Sequence, residues 1–168
     1  MLRARTPLAV FLLLATAFGA CAVRTGAPLP SFEVAAIDGR VVSDAALRGR
    51  PAIVALWSPG CFACVAELSG LQAIQDELGP DRLSVVGLYS MGGPADVHTI
   101  ATGQGLRFPL AKVEPSLLRR LGGLTVPAAL VVDSQGRIVE RLRGPQAKAV
   151  YLRWVAAAIA PVQGAPPR

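Results

Sequence analysis

Apolar and polar positions alternate along this chain in a way that changes period several times. Ser31 to Val42 reads SFEVAAIDGRVV, two short β-prone runs around Asp38-Gly39, which predicts a hairpin. Ser43 or Asp44 can cap a short helix through Leu47, ended by Gly49. Pro51 to Trp57 is an unbroken apolar run of strand length, suited to a strand covered on both faces, and Ser58-Pro59-Gly60 breaks it. From Cys61 to Leu78 the period becomes helical. Val65, Leu68, Leu71, Ile74 and Leu78 recur at spacings of three and four, and Gly79-Pro80 stops the pattern.

Leu83 to Tyr89 is a second buried strand. Ala95 to Thr102 and Pro115 to Leu121 read as helices, the latter with proline at its start and Gly122-Gly123 after its end. Ala128 to Asp133 is a strand, Ser134-Gln135-Gly136 a turn, and Arg137 to Leu142 the alternating partner. Pro145 to Ala160 is a closing helix with Val150, Trp154, Val155 and Ile159 on its inner face. This order describes an α/β domain over 31–160, a central mixed β-sheet flanked by helices with an N-terminal β-hairpin extension. The right-handed crossover rule makes Pro51–Trp57 and Leu83–Tyr89 parallel neighbours. Residues 161–168 read as a disordered tail.

The N-terminus follows a different rule. Arg3 and Arg5 precede Leu8 to Ala20, thirteen uncharged, mostly apolar residues. As a helix these reach about 20 Å, short of the ~30 Å hydrocarbon core. Residues 1–20 therefore read as a signal peptide and place the chain outside the cytoplasm. Three processing routes stay open. Phe18-Gly19-Ala20-Cys21 resembles a lipobox, with Phe18 where leucine is usual, and Cys21 would then carry the lipid anchor. Ala20-Cys21-Ala22 also fits an ordinary cleavage site. The apolar stretch can also remain as a short anchor. Residues 21–30, rich in Pro and Gly, read as a linker.

Composition narrows the function classes. At 168 residues and 52% apolar content the chain is one domain with an ample core, and is not disordered. Its net charge is +6, or +4 when Arg3 and Arg5 leave seventeen basic residues at fifteen against eleven acids. The basic residues are scattered and not interleaved with aromatics, so nucleic-acid binding is not expected.

The chemistry lies in Cys61-Phe62-Ala63-Cys64, at a strand-to-helix junction. Residues three apart on a helix are neighbours at about 5–6 Å, a separation a disulfide tolerates. A helix N-terminus presents unpaired N–H groups and a positive dipole end, which lower a thiol's pKa from its usual value of about 8.5. Cys61 is the expected nucleophile and Cys64, one turn inward, the resolving thiol. Competing readings are an inert disulfide, and a metal site using both sulfurs with His98 or Met91.

The surrounding residues choose among these. WSPGCFAC with its helix, then VVGLYS, then Val126-Pro127 before a strand ending in Asp133, resembles the TlpA/ResA-like branch of the thioredoxin superfamily. The resemblance spans Ala27 to Ala158 and implies a thioredoxin-like fold and a membrane-tethered, extracytoplasmic thiol–disulfide oxidoreductase. The implied partners are exported proteins with disulfides, cytochrome c maturation among the settings, and a membrane thiol-transfer reductant. It implies no cofactor beyond the redox-active disulfide. Trp57 matches the aromatic ending the strand before the site. Gly60 stands where many members have a second Trp. Pro127 matches the family's cis-proline, leaving the Val126 backbone to pair with a substrate peptide. Trp57, Gly60, Phe62 and Val126 are the expected substrate contacts. Glu67, three residues after Cys64, matches an acidic residue that relays the inner thiol's proton. Ala55 replaces the buried Asp of thioredoxins, so Glu67 is the nearby base. Phe62-Ala63 carries no histidine or charge, which favours reduction over oxidation. The alternatives are a copper chaperone on the same fold, and a peroxiredoxin-type peroxidase with Ser58 three residues before Cys61.

Overall fold

The computed structural model describes residues 25–122 and 125–159. Chain order gives β1 (Glu33–Ala35), β2 (Val41–Ser43), β3 (Ala52–Trp57), α1 (Phe62–Leu78), β4 (Ser84–Tyr89) and α2 (Pro94–Gly103). Then come β5 (Leu110–Lys112), α3 (Pro115–Arg120), β6 (Ala128–Val132), β7 (Ile138–Arg143) and α4 (Lys148–Ile159). β1 and β2 form an antiparallel hairpin, and the other five strands form one sheet in the order β5-β4-β3-β6-β7. β4 is parallel to β3 and to β5, while β6 is antiparallel to β3 and to β7, so the sheet is mixed as expected.

Every residue of β3, β4 and β6 is buried because both faces of the sheet are covered. Alternate residues feed two separate cores. Ile53, Ala55 and Trp57 face Leu68, Leu71 and Ile74 of α1, Val97 of α2, and Tyr151 and Val155 of α4. Ala52, Val54 and Leu56 face the N-terminal segment and Leu117 of α3. The apolar stripe of α1 is thus explained, and each fully buried Leu or Ile contributes about 1.5–3 kcal/mol. Gly79 ends α1 at φ +87°, donating its N–H to the Gln75 carbonyl.

Four features differ from the sequence reading. The inner face of α4 is Tyr151, Val155 and Ala158, with Val150 and Trp154 only partly buried and Ile159 exposed, because the helix packs on the sheet through a face turned from the expected one. Residues 44–49 form successive turns, not a helix. Ser43 Oγ does accept the Ala46 N–H, but the Asp44 carboxylate instead accepts from Ser31 Oγ and the Phe32 N–H. β5 is a strand that the pattern of its three residues does not announce. It exists because the β4 edge offers it partners: Gly87 N–H donates to Pro109 C=O and Val113 N–H to Tyr89 C=O. The presumed linker is also part of the packed unit from Gly26 onward. Gly26 and Leu29 donate to the carbonyls of Ile138 and Gly136, Ile138 donates to Ala27, and Leu29 is buried. The predicted signal peptide, Cys21 and the tail after Pro161 lie outside the described residues.

Candidate active site

The C-terminal ends of β3 and β4 point toward the same end of the molecule, because the two strands are parallel. There the chain leaves Trp57, turns through Ser58-Pro59-Gly60, and starts α1. The Cys61 N–H donates to the Ser58 carbonyl at 3.0 Å and closes the turn. Cys61 itself is the N-cap of α1, extended at φ −98° and ψ 101°. Its Sγ accepts the Cys64 N–H at 3.2 Å, the place a capping oxygen usually takes. The first turn holds no acidic residue to oppose negative charge on that sulfur.

Cys61 and Cys64 form a disulfide with Cα atoms 5.2 Å apart. The two sulfurs differ in access: Cys61 is partly exposed, whereas Cys64 is 1% exposed and packed in the core with Trp57 and Leu68. An incoming group therefore meets Cys61 first.

Two clefts flank the 58–60 turn and share Ser58 and Met91. One, of about 640 Å³, also takes in Pro59, Gly60, Gly92, Asp96, Thr99 and Ile100. The other, of about 220 Å³, also includes Trp57, Ser90, Leu118, Arg119 and Val126. The Val126–Pro127 peptide is cis, and Pro127 is buried. Phe62 is 89% exposed and Met91 63%, an apolar rim beside the partly exposed sulfur. Gly60 is exposed, with no atom within 4 Å of where a side chain would begin. Trp57 is 2% exposed and packs against Tyr89 with ring centroids 5.7 Å apart. It supports the site from below and presents little surface to a substrate.

Glu67 lies one turn beyond Cys64 and is half-buried. Its Oε1 accepts from the Gln146 N–H at 2.8 Å and from the Tyr151 hydroxyl at 2.9 Å. Burial pushes its carboxyl above the ordinary range, and these two donors pull it partly back. The Tyr151 hydroxyl is held protonated by burial, then by the nearby carboxylate charge. Neither Tyr151 nor Gln146 is recognisable as a site residue in the sequence, because each stands about eighty positions from Glu67.

His98 is exposed on α2 and lines a different cavity of about 470 Å³ with Asp38, Thr102 and Arg107. Among the described residues no three His, Cys, Asp or Glu side chains cluster as metal ligands. Ser58 meets Cys61 through its backbone carbonyl. Among the described residues no helix is long and apolar enough to cross a membrane.

Comparison with known proteins gives a consistent result. Residues 25–141 match the AhpC/TSA family. The thiol-disulfide oxidoreductase ResA of Bacillus anthracis is 21% identical over 127 residues, covering 75% of this chain and 73% of that protein. The crystal structure of a thiol:disulfide interchange protein of the thioredoxin family from Chlorobium tepidum TLS is 28% identical. It has a TM-score of 0.72 and covers 82% of this chain and 99% of that one. A thiol-disulfide isomerase from Corynebacterium glutamicum is 20% identical with a TM-score of 0.70, covering 80% and 98%.

Proposed function

Since the chain belongs to the AhpC/TSA family and is a thioredoxin-fold thiol–disulfide oxidoreductase of the ResA type, we propose that it reduces disulfides of exported proteins outside the cytoplasm. Cys61 attacks a substrate disulfide and forms a mixed disulfide. Cys64 then attacks Cys61 Sγ, releases the substrate thiol and leaves the Cys61–Cys64 bridge. The substrate gains two electrons, and the cysteine pair loses them. A membrane thiol-transfer protein restores the dithiol, which fits a compartment that offers no soluble reductant. Cytochrome c maturation is the setting the resemblance favours.

The observation that carries this reading is the capping of α1 by the Cys61 sulfur. The N–H that reaches Sγ, and the positive end of the helix behind it, favour thiolate over thiol. Cys64 is covered until a mixed disulfide brings it into play. Glu67 serves as its base: it is a half-buried carboxylate one helical turn from Cys64, at a neighbouring position on the same helix. Phe62, Gly60 and the Val126 backbone meet the substrate, while Trp57 holds the loop beneath them. A lipid on Cys21 tethers the domain.

Trapping in cells tests the chemistry. Cys64→Ser should accumulate mixed disulfides with exported proteins and Cys61→Ser should not; the reverse pattern would refute the assignment. Mass spectrometry of the mature N-terminus tests the tether. A diacylglyceryl mass on Cys21 is expected, and an unlipidated start at Val23 would exclude it.

A further inference from the structure

Glu67 is gripped from outside its own helix. Oε1 holds two donors, the Tyr151 hydroxyl of α4 and the Gln146 N–H just before α4. Oε2 has no hydrogen-bond partner among the described residues. Gln146 is itself fastened: its Nε2 donates to the carbonyls of Arg143 at 2.8 Å and Gly144 at 3.0 Å. The Gly144 N–H in turn donates to the Pro127 carbonyl at 2.9 Å. One short strap, Arg143 to Gln146, therefore runs from the proline beside the site to the glutamate.

We propose that Tyr151 and Gln146 are positioning residues for thiol exchange, committing Oε1 of Glu67 so that Oε2 is the oxygen that takes the Cys64 proton. This rests on the reading of Glu67 as the base for Cys64. Two donors directed at Oε1 use both of its lone pairs, so a proton there would face them head-on. Oε2 has no such competitor. In the step, the Cys64 S–H bond breaks and an O–H bond forms on Oε2. The resulting thiolate attacks Cys61 Sγ, and the Cys61–substrate bond breaks with its electron pair leaving on the substrate sulfur. The proton then passes from Glu67 through water to that thiolate.

The groups facing Glu67 are few. α4 and its leader offer Tyr151 and Gln146, and along α1 Cys64 is the neighbour one turn back. Lys148, at the start of α4, is paired with Glu77. Tyr151 brings no charge of its own, so it acts as a donor only.

An aromatic disulfide that releases a coloured thiolate separates the steps: the first equivalent reports Cys61 and the second reports Cys64. Tyr151→Phe keeps the ring and removes the donor. A hydrogen bond to a charged group is worth about one pH unit or more of midpoint. The acidic midpoint of the second release should therefore rise by about one unit, with about a tenfold slower rate at pH values below both midpoints, while the first release is unchanged. Glu67→Gln should abolish that midpoint. If Glu67→Gln changes the profile but Tyr151→Phe superimposes on the parent, the positioning role is wrong and the base reading stands. If Glu67→Gln leaves the profile intact, the base reading falls and this inference with it. Slower release at all pH values with an unmoved midpoint and a lower melting temperature would mark Tyr151 as structural only, and also refutes the proposal.

Discussion

Cys61 and Cys64 are chemically the same residue placed in two environments. Cys61 sits in the cap, partly exposed, with an N–H directed at its sulfur. Cys64 is inside the first turn, covered by the core. In the reduced protein, alkylation of Cys61 should titrate well below the free-thiol value of about 8.5. Cys64 should react only at higher pH. Rates of iodoacetamide labelling, followed site by site by mass spectrometry, check this. Glu67 yields a second prediction at this scale. Burial raises its folded pKa above 4.5, so the folded state holds the proton more tightly than the unfolded chain. Its contribution to stability is complete below pH 4.5 and is lost as pH rises through the folded value. Glu67→Gln removes that loss. The variant should melt higher than the parent at pH 7, with the gap closing toward pH 4.5 in thermal unfolding of the oxidised protein.

At the scale of elements, β4 shows how a central strand tolerates a glycine. A Cβ on Gly87 would stand 2.5 Å from Leu110 Cδ2 and 3.0 Å from Trp57 Nε1. The indole that supports the active-site turn thus lies against bare backbone. Gly87→Ala should cost about 1–3 kcal/mol by overpacking, read from chemical denaturation, as Leu110 and Trp57 give way. The same comparison shows why some elements can be read in advance. α1 carries its helical period over seventeen residues, and β3 and β4 are long enough for their apolar runs to be decisive. β5 has only three residues, too few to display a period, and its partners come from β4. Asp44 was misleading for a related reason. Its carboxylate suits a helix cap, yet Ser31 and the Phe32 N–H occupy it once the N-terminal segment folds back.

For the whole molecule, the N-terminal segment clasps the sheet at two places. At one edge, Ile37 N–H donates to Leu110 C=O and Ala36 bridges Ala111 of β5. At the other, Gly26 to Leu29 bonds along Gly136 to Ile138. Covered edges are protected from pairing with other chains. A chain starting at Thr25 keeps both clasps and is the reference. One starting at Ser31 should lose about 2–5 kcal/mol in urea unfolding, from three backbone hydrogen bonds and the burial of Leu29.

Neighbouring residues were enough to establish the long elements of the α/β order and the sulfur pair where a strand gives way to a helix, and the crossover rule applied to those elements gave the parallel pairing of β3 with β4. The elements and the sulfur pair depend on periods, breakers and spacings that act within a few turns of chain. Packing alone decided that Glu67 would meet Tyr151 and Gln146, that Trp57 would lie beneath the site, and that Gly26 to Leu29 would join the sheet. Those contacts unite positions tens of residues apart, whose side chains come within hydrogen-bonding range only after two faces of one sheet have been covered.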